Sequence, residues 1–150
     1  MNIVIGSDHI GLPLKLAVIQ HLRAQGHEVT DVGAYSAERC DYPVYGYKAA
    51  QLVANGKADF GVLICGTGIG ISLAANKVHG IRAAVCSESY SAYMARLHNN
   101  ANMVAMGARV VGEAVALQII DTFLSTAYEG GRHQRRIDMI SAIEAGEYRE

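Results

Sequence analysis

The sequence predicts an α/β protein, in which a five-stranded parallel sheet lies between two layers of helices and an extra helix follows at the C-terminus. Short β-rich runs alternate along the chain with longer amphipathic runs, which is typical of βαβ units. The third to fifth β-rich runs are almost continuously apolar, as expected of strands buried on both faces. Because parallel strands need crossover connections, these patterns predict a Rossmann-like three-layer αβα sandwich.

Local signals place the individual elements. Gly26 and Gly56 follow amphipathic runs at positions where a helix C-cap favours glycine, and Pro43 suits the first turn of a helix. The expected strands cover residues 2–6, 27–32, 59–65, 81–86 and 102–106. The expected helices cover residues 12–25, 43–54, 69–77, 89–97, 112–126 and 132–145.

The composition predicts one globular domain over residues 1–150. Of the 150 residues, 51% are hydrophobic and 18% are charged, and the formal net charge is -1. A chain of this length can bury a sizeable core, and it contains no linker-like, repetitive or low-complexity stretch. Because the charge is balanced, we expect no nucleic-acid partner. Because no long apolar run is present, we expect no membrane-spanning segment.

The three cysteines, Cys40, Cys65 and Cys86, favour a reducing compartment. An odd number of cysteines without paired spacing implies neither a disulfide framework nor a zinc site. The N-terminal sequence MNIVIGSDHIG lacks the basic and apolar regions of a signal peptide. We therefore expect a cytoplasmic protein.

Functional groups are expected at one edge of the sheet. In open parallel sheets, ligands bind beyond the carboxyl ends of the strands, near a topological switch point. The segments predicted to lie there are residues 7–11, 33–42, 65–72, 87–91 and 107–112.

The stretch LICGTGIGIS, residues 63–72, places Gly66, Gly68 and Gly70 between a strand and a helix. Glycines let a ligand approach backbone amides closely, and such amides can bind an anion. The G-x-G-x-G spacing differs from the dinucleotide fingerprint G-x-G-x-x-G and from the P-loop, which ends in G-K-[ST]. The loop therefore favours a cradle for an anion or oxyanion, although a simple tight turn would have the same composition.

Cys65 stands directly before these glycines, where the backbone amides would favour a thiolate. The alternative role, a small buried hydrophobic residue, is the one that we expect for Cys40 and Cys86. The adjoining cradle favours a reactive role for Cys65.

Further polar residues are expected at the same edge. Asp8 and His9 follow the first strand, where Asp8 could contact a ligand or only cap the next helix. His98 begins the sequence HNNAN and could act as an acid or base, although a histidine at a helix end is more often a C-cap.

The stretch YEGGRHQRRID carries Arg132, His133, Arg135 and Arg136 at the expected start of the last helix. Cations oppose the helix dipole there, so the cluster suggests an anionic partner such as a phosphate, rather than only a solvated helix start. Proton abstraction next to the carbonyl of a small phosphorylated substrate would use all of these groups: the thiol, the oxyanion cradle, the histidine, the aspartate and the arginines. No set of residues has convincing metal-ligand spacing.

Five longer motifs span nearly the whole chain: GSDHIG, ERCDYP, LICGTGIGISLAANKVHGIRAAVC, SYSAYMARLHNNANMVAMGARVVG and YEGGRHQRRI. In these motifs the sequence closely resembles the type B ribose-5-phosphate isomerases, whose broader family includes allose-6-phosphate and galactose-6-phosphate isomerases. The resemblance implies an aldose–ketose isomerase of the pentose phosphate pathway that needs no metal or cofactor. Its reaction would interconvert ribose 5-phosphate and ribulose 5-phosphate through an enediolate.

The resemblance also implies roles for individual residues. Cys65 would be the base that moves the proton between C1 and C2, and His98, assisted by Thr67, would open the furanose ring. Residues that would contact the substrate are Asp8, His9, Tyr42, Gly66, Thr67, Gly68, Ile69, Gly70, Asn99, Arg109, Arg132 and Arg136. The three arginines match phosphate-binding positions, with Arg132 and Arg136 reaching in from a partner subunit. Residues 131–150 would then form an arm in a homodimer, or in a dimer of such dimers.

Several positions refine this resemblance. Relatives with a glutamate base carry it where this chain has Ile71, which leaves Cys65 as the implied base. Ser7 stands where many relatives have cysteine, and Asn100 where aspartate is usual. His98 argues against the galactose-6-phosphate isomerase subunits, which tend to lose the ring-opening histidine. The remaining alternatives are an isomerase of allose 6-phosphate or of a four-carbon ketose phosphate, and, in a different class, a non-catalytic nucleotide-binding module.

Overall fold

The computed structural model describes residues 1–150 and contains five strands and six helices. The strands are β1 (Asn2–Ser7), β2 (Glu28–Asp31), β3 (Phe60–Cys65), β4 (Ala83–Val85) and β5 (Met103–Gly107). The helices are α1 (Leu12–Ala24), α2 (Tyr42–Ala54), α3 (Ile69–Ala75), α4 (Ser89–Leu97), α5 (Glu113–Ser125) and α6 (Arg132–Glu144). Every element expected from the sequence is present, and no boundary differs by more than two residues.

All five strands are parallel and follow the order β2-β1-β3-β5-β4. The chain first moves outward from β1 to β2 and then returns to the other side of β1, so the topological switch point lies between β1 and β3. The carboxyl ends of these two strands lie side by side, because Ser7 is in register with Ile64. The predicted α/β fold is confirmed.

Alternate residues of each strand enter two separate cores. Ile3 and Ile5 pack with α1, α4 and α5 on one face of the sheet, whereas Val4 packs with α2 and α3 on the other. In β3, Leu63 and Cys65 point to the second core. Burial on both faces explains why the central strands have no polar alternation.

α6 lies apart from these two layers, at the amino ends of the strands. The chain enters this position where the Glu129 amide donates to the Leu97 carbonyl at the end of α4, over 3.0 Å. The helix ends where the Gly80 amide, just before β4, donates to the carboxylate of Glu144 over 2.9 Å. Within α6 only His133 and Ile137 are buried. None of the helices is both long enough and apolar enough to cross a membrane.

Candidate active site

Cys65 ends β3 at the switch point and is almost completely buried. Its sulfur accepts a hydrogen bond from the Gly68 amide over 3.1 Å. The chain turns back over the thiol because Gly68 adopts a φ of 79°, in the left-handed region that favours glycine. A Cβ at this position would also lie 2.8 Å from the backbone of Met106. Glycine at position 68 is therefore required both by the turn and by the close contact with β5.

The turn leaves backbone donors beside the thiol. The amides of Gly66, Thr67 and Gly70 donate to no acceptor within the chain. The Ile69 amide is bound to the hydroxyl of Thr67 over 3.3 Å. Unpartnered backbone N–H groups attract an anion or a developing oxyanion. The loop can therefore hold negative charge directly next to a nucleophilic or basic sulfur.

Asp8 and His9 lie beside this loop, at the end of β1. The Asp8 amide donates to the Ile64 carbonyl over 3.2 Å, and one Asp8 carboxylate oxygen accepts from the Gly11 amide over 3.0 Å. Asp8 thus orders the turn before α1 but does not cap the helix, since the N-cap is Gly11 and no side chain caps it. His9 is oriented by the Cys40 amide, which donates to its Nδ1 over 3.3 Å.

Tyr42 and Arg109 complete the polar surface around the glycine loop. A Cβ on Gly70 would lie 2.5 Å from the ring of Tyr42, so the ring covers the bare backbone of that residue. The Arg109 amide donates to the Gly66 carbonyl over 3.1 Å. Its side chain is exposed and forms no ion pair, which leaves the guanidinium free for an anionic group.

His98 lies at the opposite edge of the sheet, which corrects the expectation that it would share an edge with Cys65. A helix that follows a parallel strand runs back along the sheet, so α4 ends where β4 and β5 begin. There Arg82 donates from Nε to the Asn99 carbonyl over 3.1 Å. Cys65 is in register with Gly107 at the far end of β5. The four residue steps from Met103 to Gly107 span roughly 13 Å, at about 3.3 Å each.

The C-terminal arginines lie on the same side as His98. α6 begins at Arg132, directly after the contact between Glu129 and Leu97. Arg132 and Arg136 are exposed and form no ion pair within the chain. Their charges are therefore available to an anion that the chain does not supply.

A cluster that sequence analysis missed surrounds His98. The imidazole rings of His98 and His133 stack with centroids 4.0 Å apart and an interplanar angle of 13°. An oxygen of the Glu129 carboxylate lies 3.5 Å from Nε2 of each histidine. Burial, assisted by the charges of His98 and Arg132, lowers the pKa of His133. The four-residue spacing of Glu129 and His133 is visible in the sequence, but their approach to His98 depends on how α6 packs.

The chain thus gathers the predicted site residues into two groups. The carboxyl-edge group consists of Asp8, His9, Tyr42, Cys65, Gly66, Thr67, Gly68, Ile69, Gly70 and Arg109. The amino-edge group consists of His98, Asn99, Arg132 and Arg136. Within a single chain, no residue of the second group lies beside Cys65.

Comparison with known proteins gives a consistent result. Residues 3–140 match the family described as Ribose/Galactose Isomerase. Ribose-5-phosphate isomerase B of Escherichia coli (strain K12) is 54% identical over 143 residues, which cover 95% of this chain and 96% of that protein.

Solved structures agree with the sequence comparison. Ribose-5-phosphate isomerase B of Clostridium thermocellum superposes with a TM-score of 0.97 at 51% identity, covering 99% of this chain and 100% of that chain. The Mycoplasma genitalium enzyme of the same name, with ribulose-5-phosphate bound, superposes with a TM-score of 0.91 at 44% identity and covers 96% of each chain.

Proposed function

The chain belongs to the ribose/galactose isomerase family, and from that premise we propose that it interconverts ribose 5-phosphate and ribulose 5-phosphate. In this reaction a proton leaves C2 of the aldose and returns to C1, while the hydroxyl proton passes from O2 to O1. The enediolate between the two states carries negative charge on oxygen. Such a reaction needs a base and hydrogen-bond donors within reach of the same two carbon atoms.

The observation that carries the proposal is the position of the Cys65 thiol against the Gly68 amide, within a loop of free backbone donors. Cys65 takes the proton from C2 and returns it to C1. The amides of Gly66, Thr67 and Gly70 hold the charge on the enediolate oxygens while the proton is on sulfur. Backbone donors suit this task because they need little rearrangement as the charge develops.

Ring opening is the other proton transfer that ribose 5-phosphate requires. The furanose opens when a base removes the proton of the anomeric hydroxyl and the ring oxygen gains a proton. We assign this step to His98, with Thr67 at the carboxyl edge assisting. Because His98 and Cys65 lie at opposite edges of one chain, the His98 that serves a given Cys65 belongs to a partner subunit.

We therefore propose a homodimer in which each active site is shared. A two-fold axis would bring the amino-edge group of each subunit against the carboxyl-edge group of the other, so that the same contact occurs twice. Asp8 would contact the sugar hydroxyls, while Tyr42 and the partner's Asn99 would line the site. Near the phosphate, His9 and Arg109 would meet Arg132 and Arg136 of the partner subunit, since guanidinium groups bind phosphate bidentately.

The surface around α6 supports this assembly. Ile140 and Ile143 are exposed on α6. Between α6 and the start of β4 lies a pocket of about 590 Å³, which these two residues line together with Ile81 and Ala83. Exposed apolar surface of this kind is typical of a protein interface. Residues 131–150 are thus proposed as the arm that contacts the partner, and two such dimers could associate further.

We also propose a cytoplasmic location. All three cysteines are free thiols, and the thiol of Cys65 must stay reduced to act as a base. A reducing compartment preserves it. This location also fits an enzyme whose substrates are pentose phosphates.

Turnover of a panel of sugar phosphates tests the proposal. We expect the highest kcat/KM with ribose 5-phosphate, and lower values with allose 6-phosphate and with four-carbon sugar phosphates. A higher value with allose 6-phosphate would contradict the substrate assignment. Binding of ATP or NAD without isomerisation of any sugar would favour the nucleotide-binding alternative.

A further inference from the structure

Three side chains outside the carboxyl-edge group approach one another closely at the amino edge. His98, Glu129 and His133, here called the His–Glu cluster, offer two imidazole nitrogens and a carboxylate oxygen. These three atoms all lie within 4.8 Å of one another. Two imidazoles and a carboxylate form a common ligand set for zinc in proteins.

The distances within the cluster are close to those that a tetrahedral metal needs. Zinc binds imidazole nitrogen and carboxylate oxygen at about 2.0–2.2 Å, which places neighbouring ligand atoms about 3.3 Å apart. Glu129 Oε2 lies 3.5 Å from Nε2 of His98 and 3.5 Å from Nε2 of His133. Both separations are longer than a good hydrogen bond, but they match the distance between two ligand atoms of a tetrahedral metal site.

His133 supplies an independent sign that a ligand belongs in the cluster. Only 5% of its side chain is exposed, and its Nε2 is buried without any hydrogen-bond partner. Buried polar atoms normally have a partner, and leaving one unpaired is costly. This nitrogen faces the carboxylate of Glu129, on the side where a bound ion would lie.

We propose that the His–Glu cluster binds a divalent transition-metal ion of the zinc class, and that the bound ion inhibits isomerisation by occupying Nε2 of His98. The site would have three protein ligands and a water in the fourth position. The inhibitory part rests on the proposed function, because His98 is the residue assigned to ring opening there.

One adjustment accompanies binding. The two rings are stacked in nearly parallel planes, with an interplanar angle of 13°, so a single ion cannot lie in the plane of both rings. The His98 side chain is 32% exposed and can rotate, whereas the buried His133 stays fixed. Metal binding would therefore turn His98 away from its stacked position and toward Glu129.

Cobalt(II) absorption tests binding without relying on enzymatic activity. The expected result is one Co²⁺ per chain with the visible bands of a tetrahedral site and no thiolate-to-metal charge transfer. Glu129→Gln and His133→Asn should each weaken Co²⁺ binding by more than the roughly 10–100-fold that loss of an outer-shell partner costs. Glu129 is half exposed, so Glu129→Gln should fold normally even if His133→Asn does not.

The matched control is His79→Asn. His79 also lies near a carboxylate, at 3.7 Å from Glu144, but it is exposed and has no third ligand. This variant should bind Co²⁺ as the wild type does. Lack of Co²⁺ binding by the wild type, or equal binding by Glu129→Gln, would overturn the metal site.

Turnover of ribose 5-phosphate then tests inhibition. With metal removed by a chelator, the wild type, His79→Asn, Glu129→Gln and His133→Asn should all be active. Added Zn²⁺ should inhibit the first two reversibly and should need at least about tenfold higher concentrations to inhibit the cluster variants. Equal inhibition of all four would place the effect elsewhere, for instance at Cys65, and would overturn the role of His98. Tight Co²⁺ binding by a protein that isomerises no sugar would instead contradict the proposed function and leave the metal site standing.

Discussion

Cys65 owes its surroundings to the main chain more than to neighbouring side chains. The Gly68 amide contacts its sulfur, and the register of β3 with β5 fixes the position of the strand end. A substitution at Cys65 should therefore leave the shape of the loop largely intact. Such a substitution can therefore separate the proposed chemical role of the thiol from the proposed binding role of the backbone.

Replacing Cys65 with alanine should lower kcat for ribose 5-phosphate by roughly 10²–10⁴-fold, the usual contribution of a positioned base. Binding should change little, because ground-state affinity comes from the other contacts. Steady-state kinetics and calorimetric titration measure the two effects, with Cys86→Ala as the matched control. Turnover close to that of the wild type in Cys65→Ala would exclude the thiol as the base.

Replacing His98 with asparagine should reduce turnover of ribose 5-phosphate more than turnover of a four-carbon aldose phosphate that cannot form a furanose. The reason is that only the cyclic substrate requires the ring-opening proton transfer. Comparing kcat/KM for the two substrates in wild type and variant measures the difference. An equal loss for both would remove His98 from the ring-opening step.

Cys86 should be the least reactive of the three cysteines. Burial in the core and the carboxylate of Glu88 raise the pKa of Cys86 to about 11. At pH 8 only about one thiol in a thousand would then be the reactive thiolate, and this fraction grows as the pH rises toward 11. Cys40 was expected to be buried, but it is partly exposed in the loop before α2. Timed iodoacetamide labelling with peptide mass spectrometry should therefore show Cys40 reacting well before Cys86. Simultaneous labelling of the two would contradict the buried environment of Cys86.

The β3–α3 connection combines an unusual backbone angle with a close contact. Gly68 has a φ of 79° and packs against Met106, whereas Gly80 has a φ of 80° with open space where a Cβ would be. The two positions therefore separate backbone strain from steric contact.

We expect Gly80→Ala to cost about 1–2 kcal/mol of unfolding free energy, the cost of a left-handed conformation in a non-glycine residue. Gly68→Ala should cost more, because its Cβ must also displace the backbone of β5, and it should lower isomerase activity by moving the Gly68 amide away from Cys65. Urea unfolding together with kinetics measures both. If the two variants were equally stable and Gly68→Ala kept full activity, the close contact between Gly68 and β5 would contribute to neither stability nor activity.

Periodicity and turn residues located all of the helices and strands, since those signals are local. β4 and α3 are shorter than expected because their ends have no strong signal, such as the glycines that follow α1 and α2. The edge assigned to His98 was wrong for a topological reason. A crossover helix reverses the chain direction, so a residue at the end of α4 lies at the amino edge however close it stands to β5 in sequence.

Contacts between distant elements could not be predicted from such signals. Lys15 is completely buried in α1, where it binds the carboxylate of Asp31 at 2.7 Å and the carbonyl of Ala34 at 2.6 Å. Its position among apolar residues gave no sign of these partners. The packing of His133 against His98 likewise depends on where α6 lies.

The molecule as a whole carries two groups of predicted site residues at opposite edges of the sheet. The thiol, the free amides and Arg109 lie at the carboxyl edge, while His98, Arg132 and Arg136 lie at the amino edge. Proton transfer needs heavy atoms within hydrogen-bonding distance of the substrate, which a separation of roughly 13 Å along β5 does not allow. If both groups act on one substrate, as we propose, each active site therefore needs residues from two chains.

Complementation in mixed dimers tests this shared site most directly. Cys65→Ala and His98→Asn should each be nearly inactive on ribose 5-phosphate as homodimers. In a mixed dimer with a shared site, one active site receives both substitutions and the other receives neither. Mixing the two proteins under conditions that exchange subunits should therefore restore about half of the wild-type activity per mixed dimer. If both residues act within one chain, every site keeps one substitution, and verified subunit exchange with no regain of activity would contradict the shared site.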